Sequence, residues 1–284
     1  MAGVIDPSTS VGGVQLTIAD LSRSVEFYQA QIGFTVHRRE DRTAWLGVGG
    51  PDLLILTQSE TAPRVRGTTG LYHFAILVPS RADLARSLRH LTATRTVLQG
   101  AADHGVSESL YLADPDGNGI EIYRDRPREQ WPYERGRLRM TTDPFDFGGV
   151  LSEPSHSGDS GALARGTTIG HVHLRVASIQ ESEQFYVGVL GFELTQRFGP
   201  GAIFVAAGGY HHHLGLNIWE SASQPPPPPG AIGLHHFELR LQDAAAVEAV
   251  VARARAAGVP VERVDGGLLV HDPAGNAVQL RIRN

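Results

Sequence analysis

His73 and Glu121 are the residues of this chain whose types and settings first suggest chemistry. His73 sits in LYHFAILV (71–78), a run apolar on both faces that reads as a buried strand. Glu121 lies between Ile120 and Ile122, and period-two alternation turns it away from both isoleucines. A carboxylate among apolar neighbours is costly to bury unless it is paired or holds a metal. Taken singly, Glu121 could be an edge-strand carboxylate facing water and His73 a satisfied core histidine; finding both in one segment weighs against those readings. His171 and His173 share one strand face, so one could be a ligand and the other its neighbour. In GGYHHHLGLN (208–217), read as an alternating strand, His211 and His213 share a face and His212 takes the other, with a surface histidine tract as the alternative. With no cysteine, any metal must be held by His, carboxylate or amide groups, and the chain has 13 histidines to draw on.

The scaffold that positions these groups is duplicated, at an offset of about 158 residues. GVQLTIADLSRSVEFYQAQIGF (13–34) returns as HVHLRVASIQESEQFYVGVLGF (171–192), and YLADPDGNGIEIY (111–123) as LVHDPAGNAVQLR (269–281). Each half divides again into two units of strand, helix, then strands. In the first unit Val14–Ile18 alternates as a strand, Asp20 or Ser22 can cap a helix through Val25, Phe27 and Tyr28, and Gly33 ends it. Strands follow near 34–39, 43–48 and 52–57. The second unit opens at 71–78, continues with a helix from Arg81 to Leu91 carrying Leu84, Leu88 and Leu91, and closes with strands near 96–99, 107–112 and 119–123 around the DPDGN turn. The third (170–219) copies the first and the fourth (234–283) copies the second, with an alanine-rich helix over 243–257. The expected layout is a first repeat half at 1–124, a polar joint at 125–168 and a second repeat half at 169–284. Five prolines at 225–229 read as a stiff spacer.

Where the repeats differ, chemistry is the expected reason. His73 has His236 as its twin, Glu121 has Gln279, and His171 stands where the first unit has Gly13. A net charge of −5 gives no basic footprint for nucleic acid or an acidic membrane. No stretch reaches the roughly 20 apolar residues of a membrane span, and no leader pattern is visible, so a cytoplasmic protein is expected. Oligomeric state is left open by the sequence.

The fourfold unit pattern, FY before LGF, and DPDGNGIEIY resemble the vicinal oxygen chelate superfamily. Within it, GLYHFAILVPSR (70–81), DHGVSESLYLADPDGNGIEIYRDRP (103–127), IGHVHLRV (169–176) and GGYHHHLGLNIW (208–219) are similar to two-domain, type I extradiol catechol 2,3-dioxygenases. The resemblance implies an α+β fold in which four βαβββ units form two glyoxalase/extradiol-dioxygenase-like half-barrel modules. It also implies Fe(II) held by two His and one Glu, a catechol or substituted catechol and O2 as substrates, and ring cleavage beside the diol. Mn(II) is the alternative metal for the same ligands. Metal-dependent isomerases or lyases of the superfamily, and its metal-free binding proteins, are the other function classes; the His and Glu of unit two argue against the last.

Carried over residue by residue, the resemblance meets a departure. The second half alone would offer His171, His236 and Gln279, without a carboxylate; the first half alone would offer His73 and Glu121, with Gly13 in the third place. Units two and three together supply His73, Glu121 and His171. We therefore expect units to pair across the halves, two with three and one with four, and a joint of about 44 residues can span roughly 140 Å, enough to permit it. The resemblance then implies acid–base work for His213, a hydrogen bond from Tyr111 to a diol oxygen, and a supporting place for His104, while His236 and Asp272 read as structural.

Overall fold

The computed structural model describes residues 3–154 and 161–283, so residues 155–160 of the expected joint, and the extreme ends of the two expected halves, lie outside the described residues. The first quarter of the chain contains β1 (Ser10–Ile18), α1 (Leu21–Phe27), β2 (Thr35–Glu40), β3 (Thr43–Gly47) and β4 (Asp52–Gln58). The second contains β5 (Gly70–Leu77), α2 (Arg81–Ala93), β6 (Gly100–Asp103), β7 (Ser107–Ala113) and β8 (Gly119–Asp125). Between the halves lie β9 (Tyr133–Glu134), β10 (Arg137–Leu138), β11 (Asp143–Pro144) and α3 (Phe147–Leu151). The third quarter contains β12 (Thr168–Arg175), α4 (Ile179–Glu183), β13 (Glu193–Phe198), β14 (Ala202–Ala206) and β15 (Leu214–Asn217). The fourth contains β16 (Gly233–Leu241), α5 (Ala244–Ala256), β17 (Glu262–Val264), β18 (Gly267–His271) and β19 (Ala277–Ile282).

Local sequence explains most of these boundaries. Asp20, rather than Ser22, caps α1 by accepting from the Arg23 amide, and Ser80 caps α2 through the Asp83 amide. Leu84, Leu88 and Leu91 are buried along α2 as their spacing predicts. The strand expected at 96–99 begins instead at Gly100, because the chain leaves α2 through Thr94 and through Arg95 at positive φ and stays irregular until there. The joint carries more structure than its polar composition suggests, and β11 pairs antiparallel with β6. Among the described residues no helix is long and apolar enough to cross a membrane.

The hydrogen-bonded strand order is β17-β18-β19-β16-β1-β4-β3-β2 in one sheet and β11-β6-β7-β8-β5-β12-β15-β14-β13 in the other. Strands of quarters one and four thus share the eight-stranded sheet, and those of quarters two and three share the nine-stranded sheet. This is the α+β arrangement with units paired across the halves. In the second, third and fourth quarters the opening strand runs parallel to the closing one: β5 to β8, β12 to β15 and β16 to β19.

By packing, the described residues also divide into two compact units, one formed by 16–62 and 73–169, the other by the residues before Leu16, 63–72 and those after Ile169. In the first, Tyr28 at the end of α1 donates to Asp114 Oδ2 at 3.0 Å. Asp114 opens the DPDGN turn, its other oxygen accepting from the Asp116 and Asn118 amides. In the second, Tyr186 donates to Asp272 Oδ2 at the same 3.0 Å, and Asp272 accepts from the Ala274 and Asn276 amides. Both links span 86 residues, which gives the repeated FY and DP motifs one physical purpose: fastening the helix of one quarter to the closing hairpin of the next. Burial, then the charge of Asp114, holds the Tyr28 phenol well above its ordinary range, and burial raises the Asp114 carboxyl. Tyr28→Phe and Tyr186→Phe should each cost about 1–3 kcal/mol, since each leaves a buried carboxylate short of a donor. Calorimetric melting of both variants checks this; a change under ~0.5 kcal/mol in either would mean that its aspartate finds a replacement donor.

Candidate metal centre

The candidate centre grows from three strands. On β8, Ile120 and Ile122 are fully buried, so alternation sends Glu121 to the opposite face, where it is only 2% exposed. In the β7–β8 ladder Tyr111 stands directly across from Glu121, and in the β5–β8 ladder Ala75 does. His73 of β5 is 7% exposed, and its Nε2 lies 3.0 Å from Glu121 Oε2. His171 of β12 is 2% exposed. Each of His73, Glu121 and His171 offers one ligand atom, and these atoms all lie within 4.8 Å of one another.

That donor set suits a divalent ion. Two ligands at right angles, each about 2.1 Å from one ion, stand about 3 Å apart, which is the His73–Glu121 separation. Two imidazoles and a carboxylate on one face are the arrangement that leaves other coordination positions for substrates. The carboxylate also supplies the negative charge that makes a buried divalent cation tolerable.

Gln279, the alternative to Glu121, is engaged elsewhere. Its Nε2 donates to the Asp265 carbonyl at 2.8 Å, and its side chain also hydrogen-bonds His236. Burial, then the neighbouring His235, pulls the His236 imidazole down to about 4, so it is neutral at pH 7. Near Gly13, Glu238 Oε2 accepts from the Gly13 amide at 3.0 Å, and Glu238 is also bound by Arg240 and Arg281. The twin position thus keeps the histidine but has an amide where Glu121 provides charge.

The predicted supporting residues fall in distinct places. His104 Nε2 and Tyr111 Oη are 2.6 Å apart, and the Tyr111 ring centroid is 5.6 Å from that of His73. His211, His212 and His213 are buried, but they precede β15 in an irregular turn instead of alternating along a strand. The turn brings the His212 ring centroid to 4.2 Å from that of His171, with His211 at 6.4 Å. His211 Nδ1 and His212 Nδ1 are 2.8 Å apart. His213 Nδ1 accepts from the Ala207 amide at 3.1 Å, which puts any neutral-form proton on Nε2, and its ring packs by Tyr210. His173, the same-face neighbour of His171, lies over Gly215, where a Cβ would sit 2.8 Å from the imidazole. It packs against Tyr72, Phe204 and Trp219. The place of His212 was not readable from alternation, because the tract does not alternate.

Comparison with known proteins agrees with this arrangement. The family described as Glyoxalase/Bleomycin resistance protein/Dioxygenase superfamily matches the chain twice, over residues 10–122 and 168–280. The chain belongs to this superfamily. A catechol-2,3-dioxygenase of Bacillus subtilis (strain 168) is 42% identical over 278 residues, covering 96% of this chain and 97% of that protein. The chain is a homologue of that enzyme over nearly its whole length. In fold it is similar to the solved structure of a putative dioxygenase from Bacillus subtilis subsp. subtilis str. 168, with a TM-score of 0.67 at 12% identity, covering 99% of this chain and 86% of that one. It is also similar to glyoxalase I from Zea mays, with a TM-score of 0.59 at 17% identity over 96% and 92% of the two chains. The two-fold family match falls on the two sequence repeats, and His73, Glu121 and His171 lie within the matched residues.

Proposed function

We propose that this chain cleaves the ring of a catechol or substituted catechol beside its diol, with O2 as co-substrate and Fe(II) held by His73, Glu121 and His171. The single observation that carries the reading is the buried two-His, one-Glu cluster in a chain 42% identical to a catechol-2,3-dioxygenase along nearly its whole length. When bound, the ion supplies positive charge that acidifies the diol, together with the redox access to O2 that a closed-shell side chain lacks. Mn(II) fits the same donors.

The remaining roles belong to this chain's own residues. His73, Glu121 and His171 would hold the ion, and their burial keeps bulk water from the donor atoms. Tyr111 and His104 form the hydrogen-bonded pair beside His73, suited to managing the proton of a diol hydroxyl. His213 is the proposed general acid–base; with Nδ1 taken by the Ala207 amide, the neutral ring offers its Nε2–H, so it acts on the substrate side as a donor. Both oxygen atoms of O2 enter the ring-opened product, so no external reductant is required.

The test is direct. The chain is loaded anaerobically with Fe(II), then given catechol and air. The expected result is a yellow ring-opened product with equimolar oxygen uptake. Colourless, unconsumed catechol across several diols, in protein shown to retain iron, would overturn the reading.

A further inference from the structure

The joint between the halves reaches into the neighbourhood of the proposed site through the backbone of Thr141. His104 follows β6, and Thr141 precedes β11, the strand that pairs with β6 through Asp143 opposite Asp103 and Pro144 opposite Ala102. That pairing places the two residues side by side. The Thr141 amide donates to the His104 carbonyl at 3.0 Å, and His104 Nδ1 lies 2.6 Å from the Thr141 carbonyl oxygen.

The rest of the turn is built to keep them there. Gly105 adopts φ +73°, and a Cβ on it would lie 2.9 Å from Pro132 Cγ and 3.4 Å from Thr141 Oγ1, so the joint packs directly over this turn. Asp103 accepts from the Gly105 amide at 2.9 Å and is held by Arg126. Thr141 Oγ1 donates to Asp143 Oδ2 at 2.6 Å, which fixes the peptide that presents the carbonyl.

A carbonyl oxygen can only accept, so His104 Nδ1 must carry the hydrogen. In the neutral ring Nε2 is then an acceptor, and the group 2.6 Å from it is the Tyr111 hydroxyl. The order of donors is forced: Tyr111 O–H to His104 Nε2, and His104 Nδ1–H to Thr141 O. A phenol has one hydrogen to donate. With His104 neutral, Tyr111 could meet a diol hydroxyl only as an acceptor, the reverse of the donor role that the resemblance implies for it.

We propose that Thr141 is a positioning residue for the reaction, its backbone carbonyl holding His104 in the Nδ1–H tautomer and so setting the direction of the Tyr111 hydrogen bond. The catalytic consequence rests on the function proposed above; the tautomer itself does not. This makes the joint a working part of the site rather than a tether between repeats.

The test uses the full chain loaded with diamagnetic Zn(II), which the same His and carboxylate donors can hold, with ¹⁵N-labelled histidine. Two-bond proton–nitrogen correlations should show His104 with a protonated Nδ1 and a lone pair on Nε2. Asp143→Ala, which frees the Thr141 side chain, and Thr141→Pro, which removes the amide donated to His104, should each give mixed tautomers. In the Fe(II) enzyme they should lower kcat for catechol about tenfold, the low end of losses seen when a supporting hydrogen bond is removed, with KM little changed. Thr141→Ser should restore both signals. An Nε2–H tautomer in the wild type overturns the proposal, as does an Nδ1–H tautomer that persists in Asp143→Ala with kcat unchanged. Should Thr141→Pro fail to fold, Asp143→Ala decides alone. Absence of catechol cleavage with the tautomer as stated would defeat the proposed function and leave this assignment standing.

Discussion

Glu121→Ala should lose iron, while Gln279→Ala should retain it. The two residues are twins in the repeat, both buried on closing strands, and only one has the charge to balance a divalent ion. Removing the carboxylate leaves two neutral imidazoles, and retention should fall by at least ~100-fold, the scale reached even when groups behind a ligand are altered. Catechol turnover should fall in step. Gln279 donates to a backbone carbonyl and bonds His236, so its loss should affect local stability and leave iron content near that of the wild type. Metal analysis after dialysis reads both variants side by side. Iron that follows Gln279 and ignores Glu121 would transfer the site to the fourth quarter of the chain.

The second large effect concerns stability. Glu108, on β7, is fully buried and gathers three arginines from three segments: Arg81 of α2, Arg124 of β8 and Arg126 just beyond it. Arg81 in turn reaches Asp146 and Glu153 on either side of α3, so one carboxylate anchors helix, sheet and joint together. Burial pushes the Glu108 carboxyl up, but hydrogen bonds from Arg81 and Arg124, with their charge, outweigh it and hold it below the usual carboxylate range. Glu108→Ala leaves these cations without their shared partner, and breaking a buried ion pair from one side costs about 3–5 kcal/mol. A melting temperature lower by roughly 5–8 °C is expected.

The sign of the pH dependence follows from the lowered folded value. The unfolded carboxyl titrates near 4.3, by approximate reference, and the folded one below it, so the contribution of Glu108 is present above that unfolded value. It is lost as pH falls through the folded value. Melting curves of wild type and Glu108→Gln should therefore differ at neutral pH and converge in acid. A constant difference across the range would mean that the stabilisation is packing rather than charge.

Some of this protein could be read directly from its residues. Leu84, Leu88 and Leu91 mark α2 through their spacing. The DPDGN and DPAGN segments mark twin turns, because an aspartate accepting from amides two and four residues on is a local event. The departure of Gln279 from Glu121 and of Gly13 from His171 showed that neither half carries a full set of donors. That complementarity pointed to units sharing sheets across the halves, as the strand order has it.

The rest was settled by folding. The three histidines 211–213 read as an alternating strand, yet they lie in a turn that brings the His212 ring centroid to 4.2 Å from that of His171. Turn geometry depends on what the preceding strand pairs with, which periodicity does not report. Glu108 had no sequence signal of its own, since its arginines are 16 to 27 residues away and converge only when α2, β7 and β8 pack. Thr141 acts through a carbonyl, a group that every residue carries. Side-chain types therefore told which atoms could grip a cation, but only tertiary packing decided which backbone oxygen would fix the proton of His104, because that depends on two strands about 40 residues apart lying side by side.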